Sequence, residues 1–104
     1  MFIVMYRWKL KRGMEDKFRQ AWRRATEAIS LRYGALGSRL HRAEDGSFVA
    51  YAQWPDKRHW EDMRKGPPAD VESFAVMREC VDTSADYGYP FLAMAVTDDL
   101  LKHN

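Results

Sequence analysis

Histidine is the residue type best suited to proton transfer near neutral pH, because its imidazole titrates there without a large shift of its pKa. The sequence contains His41, His59 and His103. His41 lies midway along a predicted strand, and Arg39 lies two residues earlier on the same strand face. If this face lines a cavity, His41 is the candidate catalytic base, and Arg39 is the cation that stabilises the anion formed. The alternative is that both side chains point to solvent or into a subunit interface.

A group of aromatic and thioether residues could form the wall against which a flat ring stacks. Two tyrosines on predicted strands could also donate hydrogen bonds to a bound phenolate or carbonyl, although buried tyrosine hydroxyls usually find a partner in any case. The helical members fit equally well as the core-facing side of an amphipathic helix, and both roles can hold together. The candidate substrate-binding residues are Tyr6, Tyr51, Trp60, Met63, Phe74 and Met77.

The sequence does not favour a metal or nucleotide site. Its three histidines and one cysteine are separated, and it contains no C-x-x-C, H-x-x-x-H, P-loop or dinucleotide-binding pattern. Cys80 follows Glu79 and lacks the positive surroundings that activate a thiol. A single cysteine also excludes an internal disulfide and favours a reducing compartment. We therefore expect no metal and no other cofactor.

Hydrophobic periodicity and turn residues predict the elements that would position these side chains. The strands alternate, a long helix repeats apolar residues every three to four positions, and Gly and Pro divide a second helical region. The predicted order is β-α-β-β-α-β, the ferredoxin-like arrangement of the α+β class. The predicted elements are strands over 2–10, 36–43, 47–54 and 89–97, a helix over 14–33, and a helical region that starts at Asp56 and again at Asp70.

A length of 104 residues predicts one domain, residues 1–104, and no apolar run is long enough to cross a bilayer. The N-terminal residues lack the order of a signal peptide, so we expect a cytoplasmic chain. Residues 1–42 contain eleven basic and three acidic residues, whereas residues 43–104 contain six and twelve. This asymmetry is compatible with an anion-binding face, with copies that attract each other head to tail, or with a solvated arginine-rich helix face.

The predicted strands are apolar on both faces, which indicates a partner. Two helices cover only one face of a four-stranded sheet, and a sheet with one wet face should alternate between apolar and polar residues. The third and fourth strands do not alternate in this way, because residues such as Val49, Tyr51 and Ala93 have apolar neighbours on the opposite face. We therefore expect a homodimer packed face to face, with room for a small aromatic ligand.

Two segments resemble the antibiotic biosynthesis monooxygenase family. The run WKLKRGMEDKF, residues 8–18, is similar to the strand-Lys-x-Gly-x4-Phe opening of these domains. The run FVAYAQWPDKRHW, residues 48–60, is similar to their strand that ends in Trp before a short helix. The resemblance implies a ferredoxin-like protomer in a dimeric α/β barrel, with a cavity between the helices and the sheet. It also implies oxygenase activity on phenolic polyketides without metal or flavin, although other members degrade haem.

The resemblance does not extend to a complete catalytic set. Haem-degrading members use an Asn, a Trp and a His, and the corresponding positions here hold Tyr6, Met63 and Arg78. The quinone-forming members have a cavity Asn, whereas the only asparagine of this chain is Asn104. We therefore predict a cofactor-independent monooxygenase of small aromatic molecules. A non-catalytic ligand-binding or stress-associated dimer is the alternative, and haem degradation is a third.

RNA-recognition domains share the same element order, so nucleic acid binding is a further alternative. Phe48 and Tyr51 imitate part of their third-strand motif, but Glu44 and Asp45 precede it where basic and aromatic residues are required. The acidic second part of the chain would also repel phosphate. We therefore expect neither a nucleic acid nor a membrane as a partner.

Overall fold

The computed structural model describes residues 1–83 and 90–102, and within them the chain forms a four-stranded sheet and three helices. The elements are β1 (Phe2–Trp8), α1 (Glu15–Tyr33), β2 (Gly37–Arg42), β3 (Phe48–Trp54), α2 (Lys57–Lys65), α3 (Val71–Cys80) and β4 (Pro90–Ala95). The strand order is β2-β3-β1-β4, and each neighbouring pair is antiparallel. This is the ferredoxin-like topology, so the predicted α+β class is confirmed.

Helix α1 has local signals at both ends. Glu15 and Asp16 lie in its first turn, where the helix dipole favours acidic side chains. Gly34 ends the helix in the left-handed conformation, with φ at 76°, which a residue without a side chain adopts at little cost. Three residues on one stripe of the helix are buried: Phe18, Ala21 and Ala25. The predicted helix therefore matches the observed one to within a residue.

The second helical region is divided into α2 and α3, as the Gly-Pro-Pro run at 66–68 predicts. The Asp56 carboxylate caps α2 by accepting a hydrogen bond from the backbone N–H of His59 over 2.9 Å. The Asp70 carboxylate caps α3 in the same way, accepting from the backbone N–H of Ser73 over 3.2 Å. Both capping residues are those that the sequence predicts.

The end of α1 packs against the break between α2 and α3. The hydroxyl of Tyr33 donates a hydrogen bond to the carbonyl oxygen of Pro67. A Cβ added at Gly66 would collide with that hydroxyl and lie 3.0 Å from the carbonyl oxygen of Asp62. Gly66 is therefore required by the close approach of α1, in addition to its place at the end of α2.

The side chains on the helix-covered face of the sheet form the core. Phe2 and Trp8 of β1 alternate with outward residues and pair with Trp54 and Phe48 of β3. The buried residues form two clusters, one around Trp8, Phe18 and Phe48 and the other around Phe2, Trp54 and Trp60. This arrangement leaves space between the two clusters, where the candidate site lies.

The opposite face of the sheet, called here the open sheet face, carries the apolar residues Ile3, Met5, Val49, Tyr51, Leu92 and Met94. These side chains alternate along the strands with those of the core. Neither core cluster of the described residues contains any of them. Leu92 is 47% exposed and Met94 is 37% exposed. The second apolar face that the sequence predicts therefore exists.

Strand β1 is shorter than predicted. It ends at Trp8 rather than Leu10, and Leu10 forms an isolated bridge with Val81 instead. Two residues named in the sequence predictions, His103 and Asn104, lie outside the described residues, as does residue 89 at the start of the fourth predicted strand. Within the described part of the chain, no helix has the length and apolar character needed to span a bilayer.

Candidate functional site

A cavity of about 260 Å³ lies between the helix-covered face of the sheet and the helices. Strands β1 and β3 contribute to its floor, and all three helices contribute to its sides. Six large aromatic or thioether side chains line it: Trp8, Trp22, Trp54, Met63, Phe74 and Met77. Ligand pockets commonly occupy about 300–1,000 Å³. The volume of this cavity lies just below that range, so it suits a compact ligand of a few rings.

Tyr6 contributes a hydroxyl group to the cavity, and Trp60 fixes its orientation. Nε1 of Trp60 donates a hydrogen bond to Oη of Tyr6 over 3.1 Å. Because this N–H occupies an acceptor position of the oxygen, the O–H of Tyr6 is left to donate to another group. Burial raises the pKa of Tyr6, and the hydrogen bond from Trp60 and the charge of Arg64 oppose that rise. Tyr6 is therefore a neutral donor near neutral pH rather than a base.

Arg64 is the only charged residue among the described residues that line the cavity. Its guanidinium lies over the ring of Trp60, with Cζ 4.7 Å from the ring centroid. The side chain is exposed, and none of the described carboxylates forms an ion pair with it. Arg64 can therefore place positive charge beside an anionic ligand.

Trp54 offers an unused hydrogen-bond donor. The residue lines the cavity and is 2% exposed, and its Nε1 has no hydrogen-bond partner within the described parts of the chain. A buried donor without a partner costs about 1–3 kcal/mol of folding free energy. Such groups are rare in folded proteins. The nitrogen itself has almost no exposed surface, so a ligand in the cavity would reach it only if the indole moved.

The described lining of the cavity contains no aspartate, glutamate, histidine or lysine. Two further hydroxyls are present, on Ser38 and Thr26, and Oγ of Ser38 already donates to the carbonyl oxygen of Tyr51 over 3.0 Å. Among all the residues that the structure describes, no group of three histidine, cysteine, aspartate or glutamate side chains could hold a metal ion. The arrangement can hold and stabilise an anion, but no conventional base in it can remove a proton.

The structure brings together most of the residues predicted to bind substrate. Four of the six line the cavity: Tyr6, Met63, Phe74 and Met77. Trp60 is buried and acts on the cavity through its hydrogen bond to Tyr6. Tyr51 instead lies on the open sheet face, because it alternates with Ala50 and Ala52, which line the cavity.

His41 and Arg39 lie outside the cavity. His41 pairs with Val49 of β3 and Arg39 pairs with Tyr51, so both side chains leave β2 on the open sheet face. Both residues are exposed. Nδ1–H of His41 donates to the carbonyl oxygen of Val49 over 3.1 Å. The condition under which His41 was the candidate base, that its strand face lines the cavity, is therefore not met. Ser38, one position out of phase with these two residues, lines the cavity in their place.

Several cavity residues were not candidates in the sequence analysis, among them Trp22, Trp54 and Arg64. Each carried a usable signal. Trp22 follows the buried Phe18 by one helical turn, and Arg64 follows Trp60 by the same spacing, which places each pair on one helix face. Trp54 lies in phase with other core residues of β3. Helical spacing and strand phase would have located all three near Tyr6, although not the missing partner of the Trp54 indole.

The family model described as "Antibiotic biosynthesis monooxygenase" matches residues 1–70, roughly two thirds of the chain. No curated protein matches it in sequence.

Several solved structures share the fold. SnoaB, a cofactor-independent oxygenase from Streptomyces nogalater, is 16% identical, with a TM-score of 0.73 and 97% of each chain covered. An antibiotic biosynthesis monooxygenase is 17% identical, with a TM-score of 0.69 and coverage of 94% of this chain and 100% of the other. An uncharacterized NIPSNAP domain protein from Burkholderia xenovorans is 13% identical, with a TM-score of 0.67 and coverage of 99% and 100%. At these identities the likeness establishes the fold alone.

Proposed function

The chain belongs to the antibiotic biosynthesis monooxygenase family, and we propose that it oxidises a small aromatic or polyketide-like molecule with O₂, without a metal or a flavin. The cofactor independence of SnoaB, which has the same fold, supports this mode of reaction. We also propose that residues 1–104 act as one domain, because the structure of SnoaB aligns with 97% of the chain.

The observation that carries the proposal is an aromatic cavity that presents donors to its ligand. The O–H of Tyr6 and the guanidinium of Arg64 would favour the anion of a phenol or hydroxyketone over its neutral form. Stacking on the aromatic wall would hold the ring system and displace water. An anion kept away from bulk water gives up an electron to O₂ more readily than a fully hydrated one.

The reaction that fits this environment needs no external reductant. An acidic CH₂ between two aromatic rings loses a proton, and the carbanion transfers one electron to O₂. The resulting carbon radical and superoxide combine to form a C–O bond, and the peroxide anion takes up a proton. Loss of water from the hydroperoxide, with cleavage of the O–O bond, leaves a carbonyl. One oxygen atom enters the product and the other leaves as water, so the CH₂ carbon supplies all the electrons.

The described cavity residues impose a condition on the substrate. Because no carboxylate, imidazole or amine lines the described wall, the first proton must leave to solvent or be absent already. Donors such as Tyr6 and Arg64 lower the pKa of a bound acid by stabilising its anion. We therefore propose substrates whose own acidity brings ionisation close to neutral pH, such as hydroxyanthrones.

Oxygen uptake with a hydroxyanthrone after treatment with a chelator tests the proposal. We expect uptake above the buffer rate and formation of the corresponding anthraquinone. His41→Ala serves as the matched control, since His41 lies outside the cavity, and it should retain the wild-type rate with this substrate, which carries no carboxylate or phosphate substituent. Uptake at the buffer rate would contradict oxygenase activity on this substrate class.

Binding without turnover is a second candidate function. The absence of a base from the described lining favours it, because binding requires only the wall and the donors. The two functions differ in one measurement: a binding protein would show saturable binding of the anthrone by calorimetry with no oxygen uptake above buffer. A haem ligand fits the described lining less well, since no histidine is present to bind the iron. Added haem should therefore give no shifted Soret band.

We propose that a second copy of the chain covers the open sheet face. Its exposed residues Leu92 and Met94 form an apolar surface of the kind that marks interfaces. The chain mass is 12.2 kDa, and light scattering at micromolar concentration should give twice that value. Leu92→Asp should halve the measured mass, whereas Leu31→Asp, on an exposed position of α1, should leave it unchanged. A wild-type mass of one chain would overturn the dimer.

A further inference from the structure

A basic groove of about 550 Å³ lies along the edge strand β2, between that strand and α1. The described residues that line it include no aspartate or glutamate. Five of them carry or can acquire positive charge: Arg19, Arg23, Arg39, His41 and Arg42. Four of the eleven basic residues of 1–42 therefore line this one groove.

Acidic residues beside the groove neutralise only part of this charge. Arg19 and Arg42 each form an ion pair with an acidic residue in the first turn of α1. Arg39 leaves β2 on the open sheet face and lines the groove at the outer edge of that strand. Arg23 and Arg39 are exposed, and neither forms an ion pair with a carboxylate of the described residues. Two guanidinium groups are thus available to a ligand, each with several N–H donors.

The groove adjoins the cavity. Trp22 of α1 and Ser38 of β2 line both spaces, so the two meet at these side chains. A substituent on a ring stacked against Trp22 would therefore need to span only the width of these shared side chains to reach the groove. The cavity itself is small and its described charge is limited to Arg64, so a charged substituent would find more partners in the groove than in the cavity.

We propose that the basic groove is a second subsite, which binds a carboxylate or phosphate attached by a short chain to the aromatic ligand of the cavity. This inference rests on the proposed function only in that the ring system must occupy the cavity. Guanidinium groups bind either anion through paired N–H···O hydrogen bonds, and this geometry favours arginine over lysine at such sites. The ligand class is therefore an aromatic acid or an aromatic phosphate ester, rather than a neutral aromatic compound.

Three synthetic ligands test the subsite by isothermal titration calorimetry. Each is a naphthol with the same short alkyl chain, which ends in a primary amide, a carboxylate or a phosphate. We expect at least one anionic ligand to bind about fivefold to tenfold more tightly than the amide at low salt, as two exposed charge-assisted contacts allow. The anionic ligand that binds more tightly shows whether the subsite prefers a carboxylate or a phosphate. Added sodium chloride should reduce the advantage, because salt screens exposed charges.

Variants on the surface of α1 and β2 distinguish binding in the groove from an effect of the net charge of the protein. The double variant Arg23→Ala/Arg39→Ala should abolish the advantage of the anionic ligands and leave the affinity of the amide unchanged. Arg24→Ala is the matched control, because Arg24 is exposed on α1 and lines neither space. It should behave as wild type. An equal loss in Arg24→Ala would assign the effect to net charge and overturn the subsite.

The outcomes distinguish this inference from the proposed function. If the amide binds and the anions bind no more tightly, the groove is not a subsite while the cavity proposal stands. If the anions bind through the two arginines and the amide does not bind, the groove binds anions and the cavity proposal fails. If none of the three ligands binds, both are overturned.

Discussion

Replacement of Tyr6 by Phe tests the central contact of the cavity. The substitution removes the oxygen that accepts from Nε1 of Trp60 over 3.1 Å, together with the O–H that would donate to the ligand. Trp60 is 5% exposed, so its N–H would be left buried without a partner. One substitution should therefore lower both the stability of the fold and the rate of the reaction, for different physical reasons.

The expected magnitudes follow from burial and from the number of remaining donors. A buried donor left without a partner costs about 1–3 kcal/mol of unfolding free energy. Loss of a single donor to a developing anion costs about 100-fold to 1,000-fold in rate where few others act. Because Trp54 and Arg64 also line the cavity, we expect a smaller loss for Tyr6→Phe, of about 10-fold. Trp60→Phe removes the indole N–H and keeps the hydroxyl of Tyr6, so it should slow the reaction less than Tyr6→Phe does.

A double-mutant cycle separates the hydrogen bond from the loss of ring volume. Urea unfolding of wild type, Tyr6→Phe, Trp60→Phe and the double variant should give a coupling energy of about 1 kcal/mol, since residues in direct contact are coupled. Oxygen uptake by the same four proteins gives the effect on rate. Additive stability losses would refute the hydrogen bond. A stability loss with an unchanged rate would show that Tyr6 supports the fold without contacting the substrate.

Three further predictions concern pH, packing and the source of the proton. The pKa of Tyr6 is raised in the folded state, so folding holds the phenolic proton more tightly. The contribution of Tyr6 to the free energy of unfolding is complete below the pKa of the unfolded chain, about 10. It falls as the pH rises towards the pKa of the folded state. Chemical unfolding should show this decline in wild type and a weaker one in Tyr6→Phe. Gly66→Ala should cost about 1–3 kcal/mol in urea unfolding through its collision with Tyr33, and Tyr33→Phe should recover part of that loss. If the substrate is its own acid, the pH at half-maximal kcat/KM should move with the phenolic pKa across substituted anthrones, whereas a fixed value would indicate a base on the protein.

The parts of the fold that could be predicted from the sequence depend on local signals. Gly34 ends α1 and Asp70 begins α3 because their own backbone or side chains form the cap. The phase of β1 placed Tyr6 with Trp8 on one face, and both line the cavity. Residues two apart on a strand stay on the same face, whatever the strand pairs with. For the same reason the aromatic wall was foreseeable in outline.

The side of β2 that faces the cavity could not be predicted in the same way. This strand is short and polar, and the single apolar residue Leu40 is its one hydrophobic indication of which face turns inward. Its register is set by pairing with β3, which places Ser38 opposite Ala52 and His41 opposite Val49. A shift of one residue would exchange the two faces. The unpaired indole of Trp54 was also beyond prediction, since it depends on which groups fold around it.

The position of His41 outside the cavity has a consequence for the chemistry of the site. If His41 lined the cavity, the protein would supply both the base and the donors, and weakly acidic phenols would be suitable substrates. With His41 on the open sheet face, the described cavity supplies donors alone, through groups such as Tyr6 and Arg64. Donors stabilise an anion without accepting the proton, so they lower the pKa of a bound acid and cannot replace its intrinsic acidity. The proposed selectivity for acidic substrates therefore depends as much on the groups that the described wall lacks as on those that it contains.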